Sequence, residues 1–295
     1  MNIKQYIVIA SVGFLVFSCE EEVAKNEANF DTPSYPADLV ERSDKIKNIF
    51  FNIPSPMETS QILQNAGATY EFTLPSNPSA VEDYQSIVDQ SLNMGIYGAD
   101  LNYATVFDQT TETMLYLQCA RTLGNELGME QVFDEETIDR IEWNLEIKDS
   151  MQVIITEIFW EMNSYLEEED RESISTLIIV GGWVEGVYLS TQLARITPNN
   201  DALKLRIAEQ KYSLTNLIGL LNSYEDRDVS QDMLEELNEL DAIFSKITEV
   251  KTAGENYKDE SGVTTIGGSI QLGMNDAILE EITAKVVEIR TDIIN

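Results

Sequence analysis

Residues 177–189 read LIIVGGWVEGVYL, an apolar run broken by Gly181, Gly182 and Gly186 and by one charge, Glu185. The run is too short to span a bilayer, which takes about 20 apolar residues in a helix. It reads instead as part of a core helix. Each glycine costs a helix about 1 kcal/mol relative to alanine, so something should compensate. Gly182 and Gly186 lie one turn apart on one face, which fits close packing against a second helix. The functional reading is that the glycines open room beside Trp183, Glu185 and Tyr188 for a ligand. Glu185 must face water, be paired, or sit in a site, because an isolated buried charge is very costly.

A second stretch can be laid over the first. NMGIYGADLNYATVF (93–107) aligns with VGGWVEGVYLSTQLA (180–194), matching Gly95 with Gly182 and Ala99 with Gly186. Further on, Phe133-Asp134…Ile138 matches Val229-Ser230…Leu234, with an insertion around Thr197–Asn200 absorbing the change of offset. The reading is two pseudo-repeated three-helix halves, each a glycine-bearing helix, a plain one and an acidic one. Chance similarity among helices is the competing explanation.

Helix starts are legible elsewhere. Ser55-Pro56-Met57-Glu58 is a capping box with proline at the first helical position, opening a helix that should stop at Gly67. An extended piece follows from Thr69 to Pro78. Ser79-Ala80-Val81-Glu82 is a second capping box, predicting a helix through Tyr84, Ile87, Val88 and Leu92. Asp134 caps a third helix, with Phe133 and Ile138 as a hydrophobic staple. The apolar stripe then continues to Met162, as one long helix or two joined near Asp149-Ser150. Ser230 and Asn275 cap two more, the last ending near Ile294. The predicted fold is an all-α, multi-helix bundle of about eight or more helices. One long irregular loop, Gly254 to Gly273, precedes the last helix, with Thr264–Leu272 as a short hairpin or an extended loop.

The amino terminus predicts an address. Lys4 precedes an uncharged, largely apolar run, Ile7 to Phe17. Eleven helical residues cover about 16 Å, half a hydrocarbon core, which is the length of a secretory signal. Val16-Phe17-Ser18-Cys19 resembles a lipobox, so residues 1–18 read as a lipoprotein signal peptide and Cys19 as the lipid attachment site. Several acyl chains would anchor the protein stably where one would not. Glu20, Glu21 and Glu22 resemble the surface-export signal of Bacteroidota lipoproteins; a plain acidic tether is the alternative. Residues 19–37 read as a flexible tether and 38–295 as a single helical domain.

Composition excludes several chemistries. The chain has 52 Asp+Glu against 19 Lys+Arg and a net charge of −33, so its surface will not attract nucleic acid or anionic lipid. Positive partners and divalent cations remain compatible with it. No histidine is present, which removes Ser-His-Asp and Cys-His catalysis and the usual zinc sites. With Cys19 lipidated, Cys119 is the only thiol. It sits at an apolar helical position in MLYLQCARTL and reads as buried and inert.

The candidate ligand groove combines Gly182, Trp183, Glu185 and Tyr188 with Tyr97, Asp100 and Glu112. Asp100 has an apolar setting like that of Glu185. Paired carboxylates serve acid/base chemistry or hold Ca²⁺ or Mg²⁺. No residue is assigned a catalytic role, no metal site is assigned, and no cofactor is expected. The acidic runs 166–172 and 224–228 lack a calcium-loop pattern and read as solvated turns.

IPSPMETSQILQNAG, LNMGIYGADLNY and GGWVEGVYL together resemble a group of uncharacterised helical lipoproteins of Bacteroidota. That resemblance covers roughly residues 45–295. It implies a helical domain attached to the outer membrane, on the cell surface or the periplasmic face, and transfers no catalytic residue. The functional expectation is a non-catalytic binding or scaffold module of the cell envelope. Its partners are the membrane, through the lipid, and an envelope protein. The rival is a carboxylate- or divalent-metal-dependent enzyme acting on an envelope substrate such as a glycan.

Overall fold

The sequence's glycines bring two helices together backbone to backbone. The computed structural model describes residues 67–198, 200–223, 231–253, 257–258, 264–265 and 268–295, all within a unit spanning 37–295. Its α-helices are α1 (Ile87–Val106), α2 (Thr110–Glu126), α3 (Glu135–Asn144), α4 (Lys148–Glu168), α5 (Glu172–Ile196), α6 (Asp201–Leu221), α7 (Gln231–Phe244) and α8 (Asp276–Ile294). The protein is an all-α, multi-helix bundle. A Cβ on Gly95 of α1 would lie 2.0 Å from the Ile178 carbonyl oxygen and 2.5 Å from the Gly182 nitrogen of α5. One on Gly181 would lie 1.9 Å from the Leu92 carbonyl oxygen. Any side chain at these two positions would drive the helices apart. Gly186, expected on the packed face, differs: a Cβ there meets nothing within 4 Å.

The element order repeats. α1 to α4 run glycine-bearing, plain, short acidic and long; so do α5 to α8. The expected three-helix halves each gain a fourth helix, and the packing follows the same pattern. α4 packs on both α1 and α5, and α8 packs on both α5 and α1. Gly95 and Gly182, the matched pair, face each other at the crossing. Two buried clusters follow. One gathers Leu101, Leu117, Leu123, Ile141 and Met151 from α1 to α4. The other gathers Val184, Leu217, Leu237, Phe244 and Ile282 from α5 to α8. Fully burying one such side chain is worth about 1.5–3 kcal/mol; the clusters also cross the halves, α1 adding Leu92, Ile96, Tyr103 and Val106 to the second and α5 adding Ile174 and Ile178 to the first.

α5 is long and apolar enough to cross a membrane by length and composition, but it is mostly buried inside this bundle. Caps explain several boundaries. Asp134 Oδ1 accepts from the Thr137 N–H at 2.8 Å, and Asn275 Oδ1 accepts from the Ile278 N–H at 2.9 Å. α1, α2 and α4 end in Schellman turns, with Asp108, Gly128 and Asp170 at positive φ.

Three local expectations change. The Ser79 box does not open a helix: Pro78–Ala80 is a single 3-10 turn capped by Asn77, and α1 starts at Ile87, where Ser86 Oγ caps the Asp89 N–H. Tertiary hydrogen bonds win here, since Tyr97 and Tyr116 donate their hydroxyls to the Asn77 and Ser76 carbonyls. The stripe from Ile138 to Met162 breaks at 145–147, slightly earlier than Asp149-Ser150. The described residues of the irregular loop are β-structure. β1 (Thr248–Ala253) pairs antiparallel with β4 (Gly268–Gly273), and β2 (Tyr257–Lys258) with β3 (Thr264–Thr265). The signal segment, Cys19, the tether, the Ser55 helix, residues 224–228 and the Ser230 cap lie outside the described residues.

Candidate functional site

Two helices of the crossing each carry a carboxylate inward, and α8 brings the counter-charge. Asp100 of α1 and Glu185 of α5 are both 0% exposed, and Arg290 of α8 is 8% exposed. Arg290 clasps Glu185 in bidentate fashion: Nε donates to Oε2 at 2.5 Å and Nη2 to Oε1 at 3.0 Å. Nη2 also donates to Ser76 Oγ at 2.9 Å and to the Leu74 carbonyl at 3.2 Å. The guanidinium lies over the Tyr188 ring, 4.1 Å from its centroid, a cation–π contact.

Asp100 Oδ2 accepts the Ser76 N–H at 2.9 Å, while Oδ1 has no partner as a bare carboxylate. Two carboxylates thus face one guanidinium in a fully buried setting. Burial, and then the Glu185 charge beside it, push the Asp100 carboxyl well above the usual carboxylate range. The Ser76 amide and Arg290 pull the other way without prevailing. Burial raises the Glu185 carboxyl too, and the Arg290 guanidinium pulls it back. One arrangement satisfies every group: Asp100 protonated and hydrogen-bonded to Glu185, and Glu185 ionised against Arg290. It leaves no uncompensated buried charge.

The other nominated residues scatter around this cluster. Tyr97 is buried with its hydroxyl on the Asn77 carbonyl. Trp183 turns to the second core, where Nε1 donates to Gln210 Oε1 at 3.1 Å. Gly182 is spent at the helix crossing. Glu112 is half-buried in the first turn of α2; burial above all, with the Glu112 charge a lesser contribution, raises the Tyr70 and Tyr116 phenols. Asp100, Glu185 and Tyr188 are therefore brought together, while Tyr97, Glu112, Gly182 and Trp183 support the surrounding packing. An open cleft of about 400 Å³ lies elsewhere, at the α3–α4 corner, and none of the nominated residues lines it. Among the described residues, no group of three or more Cys, Asp or Glu side chains is arranged to hold a metal ion.

Sequence reasoning missed Arg290 and Ser76. Arg290 had a signal: it follows Ile289 on α8 and lies one turn beyond Val286, among the buried positions Ile282, Val286, Ile289 and Ile293. A cation on an apolar helix stripe, like Glu185 on another, asks for a partner. A second buried cation sits nearby on α8: Lys285 Nζ lies 2.5 Å from Glu236 and Glu239 and 3.2 Å from Glu288. Cys119 is buried, and burial pushes its thiol up to about 11, the inert state expected of it.

Fold and site together define an all-α bundle braced by a buried ion-pair network. Comparison with protein-family models, with curated proteins and with solved structures returns no match.

Proposed function

We propose that this chain is a lipid-anchored, non-catalytic binding or scaffold module of the cell envelope. The observation that carries the reading is the sealing of its most chemically loaded cluster. An acid/base or metal-assisted enzyme must present carboxylates to a substrate. Asp100 and Glu185 are wholly buried, Asp100 held by the Ser76 N–H and Glu185 by Arg290. Such a cluster braces a fold. The envelope address rests on the lipobox-like sequence at Cys19, and attachment to the outer membrane on the resemblance to Bacteroidota lipoproteins.

Gentle crosslinking in native membranes tests this, with a Cys19→Ala form as the unanchored control. The expected result is a stoichiometric envelope protein captured by the anchored chain and absent from the control. A chain that stays monomeric and uncrosslinked in both forms would move the weight to the glycan-directed enzyme.

A further inference from the structure

The α3–α4 corner exposes apolar side chains that the described residues leave open. Trp143, the last-but-one residue of α3, is 78% exposed. Ile147 in the connection and Val153 on α4 are both more than half exposed. Val153 lines the open cleft of about 400 Å³ together with Arg140, Asn144, Asp149, Ser150 and Ile154. Trp143 does not itself line the cleft, but Arg140, three residues before it on α3, does, so indole and cleft lie at the same helix end. Exposed apolar side chains gathered in this way mark interaction sites, and tryptophan is among the residues that dominate binding energy.

The rim is acidic, and its cations are already engaged. Glu136, Asp139, Glu142, Glu146 and Asp149 are all exposed here. Arg140 pairs with Glu157 at 2.5 Å, and Lys148 turns inward to the Val106 carbonyl. A surface of exposed apolar side chains, Trp143, Ile147 and Val153, set among acidic ones complements a segment that is apolar on one face and cationic around it. It repels a second copy of this chain, whose net charge is −33, and it repels anionic lipid.

We propose that the Trp143–Ile147–Val153 surface docks a basic amphipathic segment of a partner protein. This deepens the binding-module reading and rests on it. The partner's apolar side chains would cover Trp143 and Val153, and its lysines or arginines would meet Asp139, Glu142 and Asp149. A cation over the exposed indole would add a cation–π contact.

The probe is a synthetic Lys/Leu peptide of about 18 residues patterned as an amphipathic helix, titrated into the full-length protein at physiological salt. Controls are the same peptide with serine for leucine and with glutamate for lysine. Readouts are tryptophan fluorescence, calorimetric affinity and amide-exchange protection. The expected result is a blue shift, protection confined to residues 136–153, and affinity about tenfold weaker in a Trp143→Ser/Ile147→Ser variant. Both positions are exposed, so circular dichroism should be unchanged. Equal binding by the Lys/Ser peptide, or binding that the double variant leaves intact, overturns the proposal as mere attraction to a polyanion. Binding of the Leu/Glu peptide overturns the charge complementarity. A blue shift with phosphatidylcholine vesicles and none with the Lys/Leu peptide assigns the surface to a bilayer and overturns it too. If the membrane crosslink forms equally with wild type and the double variant, this surface fails while the binding-module reading stands. If no crosslink forms with either, that reading itself fails.

Discussion

Asp100→Asn replaces the shared proton by an amide that cannot ionise. The asparagine carbonyl still accepts the Ser76 N–H, which Asp100 Oδ2 takes at 2.9 Å, and its N–H donates to Glu185 where the acid O–H did. The burial-raised Asp100 carboxyl fixes the sign of the pH dependence. Well below the ordinary aspartate value of about 4, folded and unfolded wild-type chains both hold the proton, and the group costs nothing. As pH rises further, the unfolded chain releases the proton and the folded chain keeps it. Wild-type stability then falls by about 1.4 kcal/mol per pH unit from this group alone, until pH passes the folded value. The asparagine form lacks this loss. Its advantage over wild type should widen as pH rises above the ordinary aspartate range, by up to roughly 1 kcal/mol per pH unit while the folded chain retains its proton. Carboxylates away from the cluster titrate alike in both proteins, so the difference reports the interacting Asp100–Glu185 pair. Urea unfolding followed by far-ultraviolet circular dichroism, from about pH 5 to pH 7, measures it. A difference that does not change with pH, or an asparagine form less stable throughout, would mean that Asp100 is ionised in the fold and that the shared proton is wrong.

Two further substitutions separate glycines that look alike in sequence. Gly181→Ala sets a Cβ 1.9 Å from the Leu92 carbonyl oxygen and should cost about 3 kcal/mol or more by forcing α1 and α5 apart. Gly186→Ala meets nothing within 4 Å and should gain up to about 1 kcal/mol of helix propensity; thermal melts that rank the two the other way would break the account of the crossing. Cys119, buried and with its thiol held near 11, should resist maleimide at neutral pH until denaturant is added, and labelling of the native protein at the rate of a free thiol would contradict its placement.

Much of the fold was legible because its devices are local. Asp134 and Asn275 cap where their spacing indicated, since a side chain two or three residues from an orphan N–H acts without tertiary help. The glycines of 181–186 announced a close approach because helices tolerate glycine poorly without one, but the contact falls at Gly95, Gly181 and Gly182 rather than on the Gly182–Gly186 face. What escaped depends on distant partners. The Ser79 box lost to hydrogen bonds that Tyr97 and Tyr116 bring from α1 and α2. The β1–β4 ladder joins Thr248 to Gly273 across a long connection, and period-2 alternation over a few residues is a weak signal. In the candidate site, Asp100 and Glu185 stood out as charges in apolar runs. Their separation was set by a helix crossing that no sequence spacing encodes, and the arginine between them and Ser76 lies 105 residues beyond Glu185.

The position of that arginine bears on why so costly a cluster is kept. Replacing a buried ion pair by apolar side chains is often neutral or stabilising, so stability alone is a poor reason for one. Here Asp100 comes from the first half of the bundle, Glu185 and Arg290 from the second, and Ser76 from the segment preceding both. Apolar contact between α1 and α5 is tolerant of sliding along and around the crossing; a bidentate pair with a shared proton is satisfied in one register only. Asn93 of α1 adds to the lock by donating to the Ile293 carbonyl at the end of α8 at 2.8 Å. Hydrogen-bonding groups that each half supplies to the other would fix how two similar halves dock. That role consumes the interior chemistry and leaves recognition to the surface, where the exposed indole of Trp143 stands inside its acidic rim.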